Sequence, residues 1–346
     1  VRFILRSNDL GSAEAEIPMS GDPSVALIST MMSFDSTQVT PGFASSDRSA
    51  DGESSLGVDV AILLAIGVLW IQLYYSVIPV WIHGDYYEYG WFVPPAAAFF
   101  FFRRWLQRSR GEWSPVSSRQ LVVVAGLLFP VILLIRALEG FDSSWRPPML
   151  AHAGMAALLS HWMGWKRWGV SLSVGMLPVT AFALSAIPYP WQIERSVILE
   201  LTDWVTQGAV ALFNLMGRPV TASGGILECG GTKVEVTDGC SGIRSLQSLL
   251  MAALFFGEFF RIRMAHRFLL VGLASVVALL VNMGRAMYLA QIRFDEGEAA
   301  FHAAHDWVGH VAFAVSGLCL LLATRALIGM DGRRRRIIRS TQVKSS

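Results

Sequence analysis

Charge is what this sequence has least of. Only 16% of its 346 residues are Asp, Glu, Lys or Arg, against 53% hydrophobic, and the apolar residues come in long runs. A soluble domain of that length interleaves charges every few positions to solvate its surface, so that class is excluded. Cysteine is scarce too, at three residues, so each can be weighed singly. The first 55 residues lack the basic stretch and apolar core of a cleaved signal peptide. No internal repeat of useful strength relates one half of the chain to the other. That weakens a transporter reading, since many secondary transporters carry two related halves.

What is there is a series of uncharged stretches. Crossing about 30 Å of hydrocarbon takes roughly 20 helical residues. Eight segments approach that length, at about 58–82, 91–106, 120–138, 149–165, 168–187, 242–260, 267–290 and 306–327. The expected fold is an all-α polytopic membrane protein with about eight transmembrane helices. The loops alternate in charge. One set holds Arg103, Arg104, Arg108, Arg110 and Arg119, then Lys166 and Arg167, then Arg261, Arg263 and Arg267, then Arg333, Arg334, Arg335 and Arg336. The other set holds Asp85 and Glu88, Glu139 and Asp142, the 188–240 segment, and Asp295, Glu296 and Glu298. The positive-inside rule puts the basic loops and both termini in the cytoplasm and the acidic loops outside. Residues 1–55, rich in Ser, Asp, Gly and Pro, read as a disordered cytoplasmic tail, 56–328 as the transmembrane unit, and 329–346 as a basic cytoplasmic tail.

The longest outer stretch, 188–240, precedes the sixth span as a small extracytoplasmic insertion. Its first part carries apolar residues at helical spacing, interrupted by Glu194, Arg195, Glu200 and Asp203, and reads as an amphipathic interfacial helix. A further span over the apolar residues 204–216 is the alternative. Gly224-Gly225 and Gly230-Gly231 then punctuate short β-prone runs, which predicts a small hairpin ending at Cys240.

Three side chains from three spans converge on one depth. Cys240 stands at the outer edge of the sixth span, where the positive end of the helix dipole and the unpaired first-turn amides favour a thiolate. A disulfide with Cys229 on the same side is the competing reading, and Cys319, mid-span, reads as a core residue. Arg285 follows Arg267 by 18 residues, roughly 27 Å of helix, which brings it near the outer interface. A guanidinium in a span is expensive and faces the bundle interior with a partner. There it can serve as a fixed cation for an oxyanion or a substrate carboxylate. His305 enters the last span at the same level, suited to proton transfer. Supporting or substrate-binding roles fall to Ser241, to Gly242, which leaves room for a backbone, to Arg244 as a second anion site, and to Asn282, one turn from Arg285. Asp306 reads as a helix-start carboxylate. His302, His305 and His310 do not share one face, so no metal site is expected.

The ordered set CSGIRS at the start of one span, NMGR late in the next and HDWVG at the start of the last resembles the exosortase/archaeosortase family of membrane-embedded cysteine transpeptidases. Similarity extends through YEYGWFVPP, LPVTAFALSAIPYP and MGRPVTASGG, over about residues 58–327. The resemblance implies that Cys240, Arg285 and His305 are catalytic. It implies cleavage of exported proteins at a carboxyl-terminal sorting tail (motif, hydrophobic span, basic cluster) through a thioester, with transfer to an amine-bearing or lipid/glycan acceptor. It also implies an inner-membrane location, no metal or organic cofactor, and no nucleic-acid partner. Tyr89 stands where many relatives have His, which puts any role of that histidine in doubt here. The alternatives are a transporter with Arg285 and Asn282 lining its path, a metal- or haem-binding membrane protein, and a protease of the same architecture that uses water in place of the acceptor.

Overall fold

The computed structural model describes residues 48–84, 86–108, 118–142, 145–236 and 241–345. The chain divides into two units, Val1–Glu53 and Ser54–Ser346. Of the first unit only residues 48–53 are described, as the opening turns of a helix, and the tail expected over residues 1–47 lies outside the described residues.

The helices are α1 (Arg48–His83), α2 (Val93–Leu106), α3 (Ser118–Phe141), α4 (Arg146–Trp168), α5 (Val170–Leu184), α6 (Trp191–Leu215), α7 (Ile243–Phe259), α8 (Met264–Glu296) and α9 (Glu298–Ser345). A 3₁₀ turn, Glu88–Phe92, leads into α2. Eight of these helices overlie the eight apolar segments, and α6 falls in the segment between the fifth and sixth. Three stretches have the length and apolarity to cross a membrane: Gly57–His83, Met264–Glu296 and Glu298–Gly332. At 14 and 15 residues, α2 and α5 reach only about 21–23 Å at 1.5 Å per residue. The apolar character of α3 and α4 is broken by Arg136, Glu139, Lys166 and Arg167 near their ends.

Element ends follow local chemistry. Pro94 and Pro95 occupy the first turn of α2, and Pro147 and Pro148 that of α4, where a missing N–H leaves no helical bond unmade. A single residue, Gly297, separates α8 from α9 at φ 91° and ψ −168°, a region essentially reserved for glycine. The two helices therefore form a tight pair. Outward-facing Leu64, Ile71, Leu127, Phe129, Leu134, Phe268, Leu280, Leu318 and Leu322 are all exposed. Apolar surface on that scale is at home in lipid.

The basic loops gather at one end of the helices. Glu258, fully buried near the end of α7, receives Arg104 through two 2.6 Å bonds and Arg267 through one of 2.6 Å. Arg103 caps the same helix, donating to the Glu258 carbonyl at 2.5 Å and the Phe259 carbonyl at 3.0 Å. Asp59 of α1 draws in Arg167 at 2.7 Å, Arg108 at 3.3 Å and the Trp168 indole at 3.0 Å. Five arginines, from the end of α2 and just past it, the end of α4 and the start of α8, thus close on two carboxylates.

At the other end, α6 presents Ile198, Leu201, Val205, Ala209 and Phe213 as one buried face. Its Gly208 meets Met283 of α8. A three-stranded antiparallel sheet follows, of β1 (Thr221–Ser223), β2 (Ile226–Cys229) and β3 (Thr232–Glu235) in that order. A hairpin was expected over this stretch; the structure has a third strand, with Thr221 opposite Glu228 and Ser223 opposite Ile226. Leu227 and Val234 pair across the sheet and join Phe213, Ala286 and Ala290 in one core. That core seats the sheet and α6 beside the stretch of α8 that carries Arg285.

Candidate active site

Arg285 comes from α8 and His305 from α9, and the tight turn at Gly297 makes the two helices neighbours. The Arg285 Nη2 donates to His305 Nε2 at 3.2 Å. Guanidinium is a donor only, so Nε2 must offer its lone pair. The ring proton then belongs on Nδ1, which faces Asp306 Oδ1 at 3.1 Å. This hydrogen-bond logic assigns a neutral imidazole with its Nε2 lone pair aimed at the arginine. The Phe301 ring flanks the imidazole, centroids 5.9 Å apart. The guanidinium lies over Gly309, one turn past His305, where an added Cβ would stand 3.5 Å from Nη2.

One turn back from Arg285, the buried Asn282 packs its carboxamide against Gly242. Gly242 caps α7 in the left-handed region at φ 90°, and an added Cβ would stand 2.7 Å from the carboxamide. On the side where a Cβ would project, Gly242 thus faces Asn282. Ser241 is buried, and its Oγ accepts from the Ile243 amide at 3.4 Å. Arg244 is exposed on the first turn of α7. Cys240 lies outside the described residues; its chain neighbours Ser241 and Gly242 are the part of that segment seen beside α8.

Cys229 and Cys319 are free thiols. Cys229 lies beside Arg218, whose guanidinium also meets Asp295 at 2.8 Å. The hydrogen bond it donates to Asp295 is the main reason that guanidinium binds its proton more tightly than usual. The three histidines point to different partners: His302 to Glu298 at 3.7 Å, His305 to Arg285 and Asp306, His310 to the Asp306 carbonyl at 2.7 Å. Among the described residues no group of three potential ligands could hold a metal ion.

Two features escaped sequence reasoning. Asp306 does not start its helix, which begins at Glu298; it lies a full two turns in and faces the imidazole. The adjacent pair His305-Asp306 was the available signal. The second is the anchor that pins the start of α6. Buried Glu194 accepts from the Tyr87 hydroxyl at 2.7 Å and from Arg146 Nη1 at 2.7 Å. Burial above all, with Glu194 adding to it, raises the Tyr87 phenol far above its usual range, so it remains a donor.

A family model described as transmembrane exosortase (Exosortase_EpsH) matches residues 81–322, which include all of these side chains. No curated protein and no solved structure matches the chain.

Proposed function

The chain belongs to the transmembrane exosortase family, and from that premise we propose that it is a cysteine transpeptidase cutting the carboxyl-terminal sorting tail of exported proteins. Cys240 is the nucleophile, His305 the general acid and base, and Arg285 the cation that receives the oxyanion. The observation that carries the reading is the Arg285–His305 contact at 3.2 Å, made one turn from the Asn282 that packs on the residue next but one to Cys240.

The steps follow from donor and acceptor roles. His305 Nε2 exchanges the Arg285 N–H for the Cys240 thiol and takes its proton, and the thiolate adds to the scissile carbonyl carbon. The oxygen gains the negative charge and turns to the Arg285 guanidinium. As the C–N bond breaks, the imidazolium returns its proton to the departing amine. A thioester remains on Cys240. An amine-bearing or lipid/glycan acceptor then attacks it, giving its proton to His305, and the Cys240 thiolate departs and takes that proton back from the imidazolium. Asp306 holds the Nδ1 proton throughout and fixes the ring.

The reading includes a topology: eight membrane crossings in a cell inner membrane, both termini and the basic loops in the cytoplasm, and α6 with the sheet on the outer face. The convergence of five arginines at the opposite end of the helices supports it. The test is processing of an exported reporter bearing a sorting tail. Cys240→Ala is expected to insert and accumulate as wild type while leaving the tail uncut. Normal cutting by that variant would remove the reading.

A further inference from the structure

One polar group in the helical bundle is buried without a use in the scheme above. Gln247, on α7, is only 6% exposed, and its Oε1 has no hydrogen-bond partner among the described residues. It lines a cavity of about 420 Å³, within the roughly 300–1,000 Å³ range of pockets that hold an organic ligand. Gln247 lies five residues past Gly242, about 7.5 Å along the helix axis. Of the α7 residues in the cavity wall, Gln247 is thus the nearest to the segment that follows Cys240. The cavity's deeper wall on α7 is Leu250, Met251 and Leu254. Across from them Gly154 of α4 is exposed, and an added Cβ there would meet nothing within 4 Å. Tyr89 also lines it, its hydroxyl donating to the Ser185 carbonyl at 2.9 Å at the end of α5.

We propose that this cavity is the subsite for the substrate residues that directly follow the scissile bond, and that Gln247 is the specificity-determining residue that receives one of their backbone N–H groups. The inference rests on the transpeptidase reading. A buried carbonyl oxygen with no donor is a state that native structures avoid, so an occupant should bring one. A lipid acyl chain brings none. An extended peptide brings an N–H at every other residue on one side, together with side chains for the apolar wall. The leaving side of the bond is the side that continues into an apolar tail, and this cavity becomes more apolar away from Gln247.

The probe is an exported reporter fused to a sorting tail that the wild-type protein cuts. Gly154→Trp sets an indole against the cavity from a position where an added Cβ meets nothing within 4 Å. It is expected to slow tail cutting by roughly tenfold or more, as misplacement of a reacting bond does, with Cys240 alkylated by N-ethylmaleimide at the wild-type rate. Gln247→Leu is expected to lower cutting in the same way. For geometry, Gly154→Cys is combined with Cys240→Ala, Cys229→Ser and Cys319→Ala, and single cysteines are scanned along the reporter. Disulfides are expected only at positions just after the cut site. Cutting by Gly154→Trp at the wild-type rate, or cross-links confined to positions before the cut or absent throughout, would overturn the inference. A wild-type protein that cuts no sorting tail would instead remove the transpeptidase reading on which it rests.

Discussion

The arginine at position 285 can do what a lysine cannot, because its donors sit in one rigid plane. One nitrogen of that fork donates to His305 Nε2 at 3.2 Å in the resting site, and the same plane can present paired N–H groups to an oxyanion. A lysine offers only a compact point charge on a flexible stem. Arg285→Lys is expected to lower the rate of tail cutting by about 10²–10³, the usual cost of losing an oxyanion donor. Rates within a factor of two of wild type would assign the arginine a generic charge role. At this scale the sequence was readable where chemistry is rare. A guanidinium inside an apolar run and a histidine at the start of another stand out because lipid tolerates neither cheaply. Asp306 was not readable in the same way, since a carboxylate next to an apolar helix is common and only the fold shows which ring it faces.

Helices were located by their apolar stretches, and their ends were not. Hydropathy marks where the apolar window begins, while a helix continues for as long as its backbone bonds are made. Thus α9 begins at Glu298, eight residues before the window that revealed it, and α1 begins at Arg48, ten before. Residues such as Glu298, Ala299 and Ala300 have high helix propensity and need no lipid. The third strand escaped notice because Thr221–Ser223 is only three residues long and gains its place by pairing with β2. The start of α7 is the element boundary that matters most. Gly242 combines a left-handed backbone with the Asn282 carboxamide where a Cβ would be. Gly242→Ala is expected to destabilise the protein by at least about 1–2 kcal/mol, the left-handed penalty alone, with a larger relative loss of tail cutting because Asn282 must move. The thermal midpoint in detergent, read beside cutting rate, checks both. An unchanged midpoint would show the turn to be slack.

For the molecule as a whole, ionic clusters at one end and the proposed chemistry at the other divide the labour. Glu258 has no exposure, and its three arginine partners are between 12% and 24% exposed, so little solvent screens the cluster. Removing the carboxylate leaves three cations around an apolar gap. Glu258→Ala is expected to cost about 3–5 kcal/mol, as breaking a buried pair does, and to lower the amount of folded protein. It should leave the rate of tail cutting per folded molecule unchanged, because α2, α7 and α8 meet there far from Arg285. A selective loss of turnover would contradict that division. The far end instead depends on α6 and the sheet, whose shared core with Ala286 and Ala290 holds α8 beside α9.

The most direct measurement is the mass of the protein after incubation with a reporter carrying a sorting tail and no added acceptor amine. The account predicts an adduct on the Cys240 peptide equal to the reporter truncated at the cut site, labile to hydroxylamine as a thioester is, and absent from Cys240→Ala. Tail cutting by the wild-type protein with no such adduct at any time point, or with an adduct on a residue other than Cys240, would contradict it.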